Sequence, residues 1–241
     1  MGTVFGRIHE ETPQYESLGF IGPQQDIEIR RYEPVYVASV SSKDIPGVAT
    51  NVQFTRMAFG ALARYFGVFG KPENKSQLGE NGPGEAIPMT SPVVVSTAEN
   101  LEAEGGEPIN MTVPVVMSTS NDSVDMSMSF LLPSKYTAQG TAPPTPLDPK
   151  VRIKKLDSRL VAVKKFSGEL TKNTAEAAAA EVIGVIDIEG KFQMKRNEHG
   201  RPAWEYMGYN APYTLPWFKT NEVAVLLDDI ILTSSSSSAD E

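Results

Sequence analysis

The sequence predicts an α+β fold made by tandem duplication, a sheet wall carrying two helices with a groove between them. Three observations predict it. The stretch Ile27-Glu-Ile-Arg-Arg-Tyr-Glu-Pro-Val-Tyr-Val-Ala38 returns in chemical outline as Val151-Arg-Ile-Lys-Lys-Leu-Asp-Ser-Arg-Leu-Val-Ala162, at one constant offset. Each copy is followed by a helical pattern and then by strand-like runs. A single unit of this kind could not cover its own apolar sheet face, so two copies must close on each other.

In chain order, residues 1–26 are rich in Gly, Pro and Gln and are expected to wrap the outside. From Ile27 to about Ser41, apolar residues alternate with polar ones as in a half-buried strand. Pro34 should interrupt that ladder at an edge or bulge. Val48 to about Phe69 reads as a helix, stopped by Gly70 with Pro72 beyond. On a helical wheel Phe54, Ala58, Ala61, Leu62, Tyr65 and Phe69 make one apolar stripe. Beside it stand Val52, Phe59, Ala63 and Phe66, with Arg56 at the margin. This second strip is either a contact with the chain's own loops or a wall for a flat ligand, and the wheel does not choose.

The runs Ile87–Thr97 and Ile109–Thr119 read as proline-bearing strands, and Val124–Leu132 as a half-buried one. Pro-rich residues 133–150 connect the pseudo-repeats, which span about 27–132 and 151–228. In the second copy the strand Val151–Lys165 precedes an Ala-rich helix that begins near Asn173 or Thr174 and runs to about Ile188, with Asn173 and Glu176 as a capping-box variant. Phe192–Arg196 and Ala203–Tyr209 look like a hairpin, and Glu222–Leu227 is the last strand. Residues 27–232 should form one domain, and the Ser-rich, acidic tail 233–241 should be disordered.

Composition narrows the function. A net charge of −8 argues against nucleic acid or an anionic membrane as partner. No apolar run is long enough to span a bilayer. The absence of cysteine excludes disulfides and thiolate chemistry and fits a cytoplasmic setting, with a plastid-associated one as alternative. Met1-Gly2 invites N-myristoylation, but Gly6 stands where Ser or Thr is required. The two histidines, His9 and His199, have no neighbours spaced for a metal site, and the five strand methionines read as sheet filling. No nucleophile elbow, zinc motif or phosphate loop occurs, so no catalytic residue is assigned.

Several separate stretches resemble the SOUL/haem-binding protein family, most closely its plant and algal branch. They are Met1-Gly-x-Val-Phe-Gly-x-Ile8 with Glu11-Thr-Pro-x-Tyr15, Ile27-Glu-Ile-Arg-x-Tyr32, Tyr65-Phe-Gly-Val-Phe-Gly-Lys-Pro-Glu-Asn74, and the boxes Met89-Thr-x-Pro-Val93 and Met111-Thr-x-Pro-Val115. Phe130-Leu-Leu-Pro133, Gly208-Tyr-Asn-x-Pro212 and Asn221-Glu-Val223 complete the order. The resemblance implies a distorted antiparallel β-barrel flanked by two main helices, holding haem or another tetrapyrrole reversibly in a shallow apolar groove.

Carried over position by position, the helix contributes Arg56, Phe59, Ala63 and Arg64, and the loop before the last strand contributes Tyr209 and the region Tyr213–Trp217, with Leu215 and Trp217; the second strip of the wheel adds Val52 and Phe66 to the candidate site. Two positions depart from the family pattern. Arg31 stands where some members have a histidine proposed as iron ligand, and Leu215 stands where a lysine is proposed to pair with a propionate. The expected function is therefore a monomeric tetrapyrrole carrier or buffer without a strong axial ligand. The rivals are a protein-docking module using the Met-Thr-x-Pro-Val strands and an enzyme that modifies a tetrapyrrole.

Overall fold

The computed structural model describes residues 8, 10–47, 51–75, 84–91, 93–97, 127–197, 200–210 and 214–230. Its strands are β1 (Tyr15–Ile21), β2 (Ile27–Tyr32), β3 (Val35–Ser41), β4 (Asn74–Lys75), β5 (Val93–Thr97), β6 (Ser127–Leu131), β7 (Thr145–Pro146), β8 (Arg152–Leu156), β9 (Arg159–Phe166), β10 (Phe192–Met194), β11 (Trp204–Gly208) and β12 (Asn221–Ile230). The helices are α1 (Asn51–Phe66), the single turn α2 (Lys135–Ala138) and α3 (Lys172–Glu189). This is the expected α+β architecture, a curled antiparallel sheet forming a half-barrel with helices packed on it.

The order along the sheet is β1-β2-β9-β12-β11-β5-β6-β3-β8, with β10 joined to β12 and β4 paired separately to β7. Leaving β1 aside, the order reads the same from either end once the strands of one copy are exchanged for those of the other. Thus β2 pairs with β9 as β8 pairs with β3. Likewise β12 lies on β9 as β6 lies on β3, and β11 meets β5 at the centre. A strand pair from one copy leaves both edges open, so each copy's first strand completes the other copy's sheet.

Alternation then separates two chemistries. Ile27, Ile29, Ala38, Val40, Met128, Phe130, Val223 and Val225 belong to the core cluster that takes in α1 and α3. Their neighbours Tyr32, Val37, Leu131, Val161, Val163 and Met207 form a second cluster on the opposite face. Helix α1 packs on β3 and β6, and α3 on β9, β10 and β12. Phe130 is the hub under α1, with Phe59 at 5.6 Å and Phe66 at 5.5 Å between ring centroids.

Several expectations need correction. Within the N-terminal segment, Tyr15–Ile21 forms an edge strand on β2 that the sequence reading had not assigned, bulged between Ser17 and Gly19. The first long strand is two strands, with Glu33 and Pro34 turning the chain between different partners. Helix α1 ends at Phe66 because Gly67 turns to a φ of 84°, and a Cβ there would meet Pro72 at 2.7 Å. Phe69 thus falls outside the stripe and is 65% exposed. Helix α3 starts earlier than expected, capped by Thr171 with Thr174 instead of Asn173 with Glu176. The connector 133–150 contains α2 and β7. The second Met-Thr-x-Pro-Val box and the tail lie outside the described residues.

The hub position gives a direct check on this packing. Truncating Phe130 to Ala should cost about 3–5 kcal/mol, read as a lowered urea midpoint. A loss below about 1 kcal/mol would show that α1 does not rest on that ring.

Candidate functional site

The outer side of α1 carries most of the residues expected to meet a ligand. Ala63 and Phe66 are fully enclosed, Phe66 between Tyr65 and Phe130. For these two, the second apolar strip is a packing contact of the protein with itself. The segment after residue 84 helps cover it: Ile87 N donates to the Phe66 carbonyl at 3.1 Å and Ile87 is buried. Phe59 differs, for it rests on Phe130 yet is only half-buried. Arg56, one turn before it on the helix, is exposed, and Gly60 and then Met57, at 46% exposure, lie further round the surface of α1. Val52 stands in the first turn, and its side chain is outside what the structure describes.

Gly60 and Met57 escaped the sequence reading. A Cβ at Gly60 would lie 3.3 Å from an Arg64 guanidinium nitrogen, so the missing side chain leaves a flat spot that Arg64 crosses. Arg64 is not a free cation, since its Nε lies 3.3 Å from Glu73 Oε2 and its Nη2 4.0 Å from Asp148. Arg56 has no partner among the described residues. Between the strands under α1 and those under α3 run β11 and β5. There Trp204 and Tyr206 join the helix-side core with ring centroids 6.0 Å apart. These two aromatics, also missed in the sequence, form the sheet floor between the helices.

The loop residues do not all come to this face. Tyr213 lies outside the described residues. Leu215 is half-buried and Trp217 is 66% exposed on a 3-10 turn, Pro216–Phe218, tied to the loop between β9 and α3 by Gly168 N donating to Pro216 O at 2.9 Å. Tyr209 points to the opposite sheet face, where its hydroxyl donates to Glu222 Oε2 at 2.5 Å.

That opposite face holds a charged network no local pattern announced. Arg30 is 1% exposed, and its Nη1 donates to Glu222 at 3.0–3.1 Å and to the Tyr32 hydroxyl at 3.1 Å. Its Nε donates to Glu28 at 2.7 Å, and the Tyr15 ring covers the guanidinium at 4.3 Å. Beside it Arg159 Nη1 lies 2.8 Å from both oxygens of buried Glu205, donating in hydrogen-bond geometry only to Oε2. Burial opposes charge on Arg30, but Glu222 outweighs it and holds the guanidinium firmly protonated. Burial, then the Glu222 charge, push the Tyr209 phenol well above its usual range and Tyr32 up to about 12. With every charge matched, this face reads as a locked interior.

Among the described residues no group of three or more His, Asp or Glu side chains could hold a metal ion, and no helix is long and apolar enough to cross a membrane. A family model described as SOUL heme-binding protein matches residues 10–226. No curated protein sequence matches the chain. Solved structures with a similar chain path include the C-terminal domain of EcmrR, at 5% identity and a TM-score of 0.49, covering 85% of this chain and 98% of that one. A hydrolase from Listeria innocua is 9% identical with a TM-score of 0.44, covering 91% of this chain and 94% of its own. Likenesses so distant say nothing about what this chain binds.

The tyrosines make the network testable. Tyr32 has a folded pKa of about 12 against an ordinary 10.0, so the stability it contributes is complete below pH 10 and is lost as pH rises toward 12. The urea midpoint should fall more between about pH 9 and about pH 11.5 in the wild type than in Tyr32→Phe. Equal falls in the two proteins would remove Tyr32 from the account.

Proposed function

Because the chain belongs to the SOUL heme-binding protein family, we propose that it carries or buffers haem or a related tetrapyrrole, held reversibly on the outer side of α1 without a strong axial ligand. The observation that supports this is the half-exposed Phe59, resting on Phe130, with the exposed Arg56 one helical turn away and without a partner among the described residues. A tetrapyrrole supplies two flat apolar faces and an anionic propionate edge. Phe59 takes the face and Arg56 meets the edge. Trp217, exposed before β12, is the second ring available for stacking. Arg64 is held by Glu73 and Asp148, so Arg56 is the better partner for a carboxylate.

Magnitudes favour a loose complex. Covering about 300–400 Å² of porphyrin face contributes roughly 8–10 kcal/mol gross at about 25 cal/mol per Å². Lost translational and rotational freedom offsets much of it, and one rim ion pair adds about 1 kcal/mol. Micromolar affinity follows, which suits transfer between partners more than redox chemistry. The protein is expected to act as a monomer, in the cytoplasm or beside the plastid, without nucleic acid. A docking role is the second reading, favoured by Val68 and Phe69, 42% and 65% exposed just past α1.

Titration separates the two. Haem and metal-free protoporphyrin should bind with similar micromolar affinity, about tenfold weaker to Phe59→Asp and about threefold weaker to Arg56→Ala. Unchanged affinity in Phe59→Asp would take α1 out of the site. Failure of both ligands to bind at any concentration would leave docking as the better reading.

A further inference from the structure

The duplication leaves the two ends of the sheet unequal. Strands β2 and β8 are the same piece of the repeat, with Arg30 and Arg31 matched by Lys154 and Lys155. Strand β2 carries β1 on its outer edge, whereas β8, at the far end of the order, has only β3 beside it. The chain before β8 goes elsewhere: β7 pairs with β4, and Leu147 N donates to the Glu73 carbonyl at 3.1 Å. Among the described residues no hydrogen bond reaches the outer edge of β8, and Arg152, Lys154 and Lys155 are all exposed.

We propose that this edge of β8 receives an extended acidic segment of a partner protein as an added antiparallel strand. Strand β1 shows what such a strand needs. Its Tyr15 ring covers the Arg30 guanidinium at 4.3 Å, and Glu16 lies 3.7 Å from Arg31. The matching positions on β8 are Lys154 and Lys155, neither of which has a partner among the described residues, while Arg152 is already paired with Asp44. Lys154 stands opposite Val37 and Lys155 opposite Tyr36, on the two faces of the sheet, so acidic residues at successive positions of a guest strand meet both. Half-buried Ile153 and Leu156 offer an apolar contact on each face. Charge also selects the guest. Lysines on an edge deter pairing with a like edge, and β8 of a second copy would set lysine against lysine. An acidic strand turns that repulsion into attraction. The inference rests on the duplication and stands apart from the tetrapyrrole reading.

The test uses the full chain at low salt and a capped peptide, Tyr-Glu-Val-Glu-Val-Glu-Tyr. Two controls go with it: the same peptide with Lys for Glu, and one N-methylated throughout, which keeps the charges but cannot donate to a strand edge. The expected result is saturable binding that slows deuterium exchange at the β8 amides facing away from β3. N-methylation should weaken binding at least about tenfold, and Lys154→Glu combined with Lys155→Glu about tenfold. The Lys peptide should not bind. Absence of saturable binding, equal binding of the N-methylated or the Lys peptide, or undiminished affinity in the double variant would each overturn the proposal. So would amides on that edge already protected in the free protein, since the edge would then be occupied by the chain itself.

Discussion

The guanidinium of Arg30 reaches from β2 across β9 to Glu222 on β12 while Glu28 and Tyr32 hold its other corners. Burying those charges is tolerable only with every donor matched, and matching them fixes the register of three strands at once. A slip of one residue would carry Arg30 under the helices and Ile29 to the opposite side. The remaining order follows from this lock. Ile27 and Ile29 face the core shared with α3, and the exchanged pairing of first strands places α1 over the equivalent surface of the other copy.

The lock also divides labour between the faces. Tyr209, Glu222 and Arg30 satisfy one another, so the charged side has little to offer a large guest without breaking ion pairs. On the helix side α1 covers β3 and β6 fully, but its own outer turn leaves Phe59, Gly60 and Arg56 at the surface. A flat anionic ligand finds there a ring and a cation within two helical turns. We therefore place the proposed tetrapyrrole on the helix side.

Periodicity made much of the fold legible. The duplicated stretch, the alternation in β2, β3, β6 and β9, and the stripe of α1 are local patterns, and each reports which face a residue takes. Tertiary effects were not legible. Glu222 stands 192 residues from Arg30, and neither residue has a neighbour that hints at the other. Strand β1 was hidden by its bulge at Gly19, whose φ of 119° breaks the alternation. In the candidate site the wheel ranked Phe59, Ala63 and Phe66 together. Only the packing of residues after 84 distinguishes the two enclosed residues from the half-exposed one, and Gly60 is invisible to any scale that scores side chains.

The most direct measurement is amide line broadening by a paramagnetic metalloporphyrin added to the labelled protein. The account predicts broadening centred on residues 56–63 of α1, with the amides of Arg30 and Glu222 left sharp. Broadening centred on Arg30, Tyr209 and Glu222, with α1 unaffected, would contradict it and move the guest to the charged face.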